Sequence, residues 1–197
     1  MLAGMRIIIG ISGASGIVYA VRLLQELSAV EGCETHLVVS KGAKLALKFE
    51  SGYSVKDIEA LASVVHSDQN LAASIASGSF QTDGMVIVPC SMKTLSGVAN
   101  SYGDNLLVRA ADVVLKERRK LILVPRETPV HAGHLRLMRE AALIGAVIAP
   151  PVPAFYNNPQ TIDDIVDDMV GRLLDLLGID NELTRRWEGT GPTETSA

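Results

Sequence analysis

Three stretches carry side chains whose types and spacing suit chemistry on a phosphate-bearing ligand. The first is Gly13-Ala14-Ser15-Gly16, between an apolar run and a helix-like pattern. A short hydroxyl-bearing loop leading into a helix start presents backbone N–H groups and a positive dipole end to an anion. The glycines at 10, 13 and 16 are spaced G-x-x-G-x-x-G, whereas a dinucleotide site uses G-x-G-x-x-G with an acidic residue after the second strand. Here that strand ends in Ser40-Lys41, so one phosphate group fits better than NAD. A tight turn with no ligand is the bland alternative.

The second stretch is "PCSMKTLSG", in which Ser91 and Thr94 suit a helix cap and place a second hydroxyl-rich helix start near the first. Cys90 lacks a histidine near it in sequence, so a small buried residue is the better reading than a nucleophile. The third is "PRETP", with Arg126 and Glu127 at a strand end, where a surface ion pair is the plain reading. His131 and His134 form an H-x-x-H pair with no third ligand evident, so no metal site is assigned. The cluster Lys116–Lys120 reads as a solvated helix end, favoured by the dipole. Arg172 follows Asp168 by four residues, which fits a helix ion pair.

These residues must be held by something, and the apolar patterning supplies it. Strands are expected at Arg6–Ile11, Thr35–Ser40, Gly84–Pro89, Lys120–Pro125 and Ala146–Ala149. Helical patterns cover Ile17–Ser28, Gly42–Glu50, Val55–Val65, Thr94–Ala99, Asn105–Arg118, Leu135–Ile144 and Thr161–Leu177. Thr161 with Asp164 forms a capping box, and Gly178 stops that last helix. Strand alternating with helix implies an α/β three-layer fold with a central parallel sheet. Such sheets bind ligands at the carboxyl ends of their strands, where all three stretches lie.

Composition narrows the function. The chain has 197 residues, 48% hydrophobic and 20% charged, which fits one globular domain over residues 1–188; a polar tail at 189–197 is expected to be disordered. A net charge of −4 argues against nucleic-acid binding. No signal peptide is read at the start, and the longest apolar stretch, 141–156, is broken by prolines, so no membrane span is expected. Two cysteines without paired spacing fit the cytoplasm. High apolar content for one small domain points to burial between subunits.

Four blocks, "GISGASG", "ASGSFQTDGMVIVPCSMKTLSGVA", "RAADVVLKERRKLILVPRETPVHAGHL" and "PAFYNNPQTIDDIVDDMVGRLLDLLGI", together resemble the UbiX-type flavin prenyltransferases from about residue 5 to 187. The resemblance implies a flavodoxin-like (Rossmann-type) fold. It implies transfer of the dimethylallyl group of dimethylallyl monophosphate to N5 and C6 of reduced FMN, without metal. The product, prenylated FMN, would serve a UbiD-type decarboxylase in ubiquinone synthesis or aromatic acid breakdown. By the same resemblance, Gly13, Ala14, Ser15, Ser40, Ser91, Met92, Lys93, Thr94 and Arg126 hold FMN. Tyr156 and Arg172 hold the prenyl phosphate, completed by Arg109 and Lys116 across a subunit boundary. Ser15, Glu50, Glu127 and Lys116 stand close to the reaction, and the assembly is a homo-oligomer, a dodecamer.

The chemistry suits these residue types. Breaking the allylic C–O bond builds negative charge on phosphate, which Arg and Lys stabilise. Holding flavin N5 against the allylic carbon is a positioning task. Two other readings stay open at this stage: an FMN-dependent decarboxylase of the peptidyl-cysteine or phosphopantothenoylcysteine kind, and a non-catalytic flavin-carrying subunit. Against the former, the helix after the first loop has Tyr19 and no histidine.

Overall fold

The computed structural model describes residues 4–50, 52–184 and 186. The expected tail at 189–197 lies outside them. Six strands form one sheet: β1 (Arg6–Ile11), β2 (Glu34–Val39), β3 (Val64–His66), β4 (Gly84–Cys90), β5 (Lys120–Pro125) and β6 (Val147–Ile148). All neighbours pair in parallel, in the order β3-β2-β1-β4-β5-β6. That is the Rossmann order; without the three-residue edge strand β3 it is the flavodoxin order, and both share one switch point, between β1 and β4.

Alternation along the strands divides the core. Ile7, Ile9 and Ile11 of β1 face one layer, while Ile8 faces the other. The first layer is covered by α1 (Ile17–Ala29), α2 (Lys41–Glu50), α3 (Val55–Glu59) and α7 (Ile162–Leu177). The second is covered by α4 (Met92–Ala99), α5 (Leu106–Lys116) and α6 (Ala132–Leu143). No helix among the described residues is long and apolar enough to cross a membrane.

Side chains fix the helix starts. Asn105 accepts from Val108 N at 2.9 Å to begin α5, and the expected Thr161–Asp164 capping box begins α7, which ends at Gly178 with φ 83°. His131 Nδ1 accepts from Gly133 N at 3.0 Å, so α6 starts at Ala132, three residues earlier than its apolar pattern implies. The expected helix over Val55–Val65 is a correction. A Ser54–Asp57 capping box starts it, but it ends at Glu59, and Val64–His66 pairs with β2. Val64 and Val65 are β-branched and favour the strand once an unpaired edge of β2 is offered. The "KERRK" cluster also differs from a solvated helix end. Arg119 turns back and donates to Phe80 O at 2.8 Å and Gly78 O at 2.7 Å, clasping the segment before β4.

Candidate functional site

The switch point draws four strand ends into one row. Ser12 follows β1 and is fully buried. Its Oγ donates to Pro89 O at 2.9 Å and accepts from Ser91 N at 2.7 Å, so one hydroxyl ties the β1 loop to the β4 loop. From the other side, Ser40 N donates to Ile11 O at 2.9 Å, and Ser40 Oγ accepts from Ala43 N at the start of α2. Gly13 is required there: a Cβ on it would lie 2.9 Å from the Cα and carbonyl carbon of Gly42. Arg126 N donates to Cys90 O at 3.2 Å, which adds the end of β5. The structure therefore brings together the loops of Gly13–Ser15, Ser40, Ser91–Thr94 and Arg126.

Each loop leads to a helix start. Gly16, with φ 106°, precedes α1 and has no capping side chain of its own. The carboxylate of Glu50, from the far end of α2, takes that place. Its Oε2 accepts from Gly16 N at 2.8 Å and Ile17 N at 3.4 Å, a favourable position for a negative charge. Ser91 caps α4 by accepting from Thr94 N at 3.3 Å, and its hydroxyl donates to Thr94 Oγ1 at 3.1 Å. Met92 and Lys93 form the first turn, with Lys93 exposed. Complete burial pushes the Cys90 thiol up to about 12, which agrees with a packing residue rather than a nucleophile. Glu127 does not pair with Arg126; its Oε1 accepts from Thr128 N at 3.1 Å. The His131 and His134 rings lie against each other with centroids 3.7 Å apart and planes tilted by 30°. Among the described residues, no group of three or more His, Cys, Asp or Glu side chains is placed to hold a metal.

The remaining predicted residues are not gathered within one chain. Tyr156 sits in a single 3-10 turn, Phe155–Asn157, and Arg172 lies on α7, on the first face of the sheet. Arg109 and Lys116 lie on α5, on the opposite face. Arg109 donates to Ala76 O at 3.2 Å and to Asp112 at 2.8 Å, and Lys116 pairs with Glu117. Arg172 bonds Asp175 at 2.9 Å, not Asp168 as helix spacing implies, and Asp168 accepts instead from Asn157 Nδ2 at 2.7 Å. Two cavities, of about 280 and 350 Å³, flank α7, and neither takes a lining residue from the switch-point loops.

A parallel sheet with hydroxyl-lined helix starts at its switch point suits a mononucleotide, and comparison with known proteins identifies which class. The family model described as "Flavoprotein" matches residues 1–174. The flavin prenyltransferase UbiX of Escherichia coli K12 is 59% identical over 186 residues, covering 93% of this chain and 98% of that protein. The chain belongs to the UbiX family of flavin prenyltransferases. Among solved structures, a dodecameric FMN-dependent UbiX-like decarboxylase from E. coli O157:H7 superposes with a TM-score of 0.92 at 51% identity, covering 94% of this chain and all of that one. AnUbiX in complex with FMN and dimethylallyl pyrophosphate also gives 0.92, at 47% identity over 94% of this chain and 98% of that one.

Within this UbiX-family fold, sequence reasoning passed over two features. Ser12 falls inside the first loop, yet nothing in its spacing announces that it bonds a segment 77 residues away. Sequence spacing does not single out Asp167 and pairs Asp168 with Arg172, whereas Asp167 binds Arg22 of α1 at 2.6 Å and Asp168 binds Asn157.

Proposed function

We propose that this chain transfers the dimethylallyl group of dimethylallyl monophosphate to reduced FMN, forming bonds at N5 and C6, and passes prenylated FMN to a UbiD-type decarboxylase. The observation that carries the reading is a whole-length match to a UbiX protein solved with FMN and dimethylallyl pyrophosphate. The row of loops at the switch point agrees with it. In this reading FMN is a substrate. Gly13, Ala14, Ser15, Ser40, Ser91, Met92, Lys93, Thr94 and Arg126 hold it, with helix-start N–H groups and hydroxyls suited to its polar and phosphate atoms.

Tyr156 and Arg172 of one subunit and Arg109 and Lys116 of a neighbour hold the prenyl phosphate. Support comes from topology: α5 and α7 cover opposite faces of one sheet, so a pocket using both needs two chains. The allylic C–O bond breaks with its electron pair leaving on phosphate, where three cations stabilise the charge. Flavin N5 donates a pair to the allylic carbon and loses its proton. In ring closure the alkene gains a proton and C6 releases one. Glu50, Glu127, Ser15 and the retained phosphate are the groups at hand to carry these protons. Glu50 is already seated on the N–H groups beside Ser15. No metal takes part, residues 1–188 act as one domain, and the enzyme works in the cytoplasm as a homo-oligomer.

Anaerobic incubation with reduced FMN and dimethylallyl monophosphate tests the proposal. The flavin gains one five-carbon unit by mass spectrometry. A cysteinyl-peptide decarboxylase would instead release carbon dioxide from its peptide and leave flavin mass unchanged.

A further inference from the structure

We propose that Asn157 and Asp168 form a positioning pair that sets the prenyl-phosphate half of the site, a proposal that rests on the function above. The segment from Pro150 to Gln160 carries Tyr156 and lacks regular structure apart from one 3-10 turn. Burial does little to hold it, since Val152, Phe155 and Tyr156 are 74%, 73% and 63% exposed. At its end the carboxylate of Asp164 accepts from Gln160 N at 2.7 Å and Thr161 N at 2.8 Å. Beside Tyr156, Asn157 Nδ2 donates to Asp168 Oδ1 at 2.7 Å, the short length of a bond to a charged acceptor.

Asp168 is itself well fixed. Its backbone oxygen accepts from Thr184 Oγ1 at 2.9 Å. Its neighbour Asp167 holds Arg22 of α1 at 2.6 Å, so this turn of α7 is fastened to the helix that begins at the flavin loop. Arg172 stands four residues on, about one helical turn along the same stripe. The amide one residue after Tyr156 is thus bolted to the turn one step before Arg172. Tyrosine and arginine are held in register through a bond that touches neither, and through Asp167 the register extends to α1. Asp168 is an anion that would repel a phosphate, and Asn157 Nδ2 is turned onto it, so the pair acts through its neighbours.

The test measures binding of dimethylallyl monophosphate to FMN-loaded protein by calorimetry, alongside FMN affinity and melting temperature. Asn157→Ala is expected to weaken dimethylallyl monophosphate about tenfold with FMN affinity unchanged. The exchanged pair Asn157→Asp with Asp168→Asn restores an N–H···O bond in the opposite sense at the same net charge, and is expected to recover binding to within about threefold of the parent. If Asn157→Ala does not fold, Asn157→Asp takes its place, with two facing carboxylates in place of the bond. Unchanged binding in the single variant, an exchanged pair as weak as the single, or equal loss of both ligands would overturn the pair. A parent protein that binds no dimethylallyl monophosphate overturns the proposed function and the pair with it.

Discussion

Ser12 and Arg172 show how differently two single residues can serve one site. Ser12 contributes no group to the ligand row; its buried hydroxyl sets the spacing of two loops that do. Ser12→Ala leaves the part-buried Ser91 N–H without that acceptor, a cost of about 1 kcal/mol. FMN affinity measured by flavin fluorescence is expected to fall several-fold, with a matching loss of thermal stability. Arg172 is exposed, and without it Asp175 keeps its bonds to Arg186 and Asn181, so the Arg172 bond is worth little to stability. Arg172→Ala is therefore expected to leave the melting temperature and FMN affinity in place. It should raise the KM for dimethylallyl monophosphate roughly ten- to a hundredfold, the loss of about 1.5–3 kcal/mol from a charge-assisted contact. Unaltered kinetics would remove Arg172 from the site. A motif block pointed to Arg172 but not to its observed partner, and nothing in the sequence pointed to the bonds of Ser12. Helix spacing pointed Arg172 at Asp168, whereas that carboxylate takes a loop residue eleven positions away, Asn157, and Arg172 takes Asp175.

Elements were legible where burial is complete. β1, β4 and β5 read as unbroken apolar runs because helices cover both their faces, and α7 shows its stripe, its capping box and its terminal glycine. β3 was hidden, since three half-exposed residues carry too little pattern to stand apart from the helix before them. That edge also places His36 beside His66. His36 Nε2 lies 3.0 Å from Glu34, whose carboxylate can only accept a hydrogen bond, and its Nδ1 lies 2.9 Å from His66 Nε2. In the neutral pair, His36 therefore donates to Glu34 and accepts from His66. Arg6 holds the other Glu34 oxygen at 2.8 Å and covers the Phe80 ring. Burial pushes both histidines below their ordinary value of about 6.5, the opposing attraction of Glu34 for His36 being smaller. The unfolded chain thus binds more protons than the folded one below about pH 6.5, so stability falls as pH drops through that value. Melting temperature is expected to decline from pH 7 to pH 5, and less so in His66→Gln. A flat profile in the parent would contradict the burial argument.

At the scale of the whole molecule, the proposed site leaves one chain an incomplete enzyme. Its cations lie on two faces of the sheet, and large apolar side chains stand in the open: Phe49 at 87% exposure, Ile162 at 78% and Leu143 at 64%. Composition pointed to burial between subunits, but sequence offers no direct signal for which faces meet. Light scattering is expected to show a homo-oligomer. Hybrid oligomers test the shared site. Lys116→Ala and Arg172→Ala subunits, each weak alone, should regain activity when mixed and reassembled, because about a quarter of sites then combine two intact halves. Activity no better than the separate variants would place both residues in one chain's site. Cations in place of a metal also predict full turnover in EDTA; loss with EDTA and rescue by magnesium would contradict that.

The central claim is that the switch point holds reduced FMN as a substrate and that a prenyl group is joined to it. The most direct measurement is the mass of the flavin after anaerobic incubation of the purified protein with reduced FMN and dimethylallyl monophosphate. The account predicts FMN heavier by one five-carbon unit, with inorganic phosphate released in equal amount. Flavin of unchanged mass, from folded protein that demonstrably binds FMN, would contradict it.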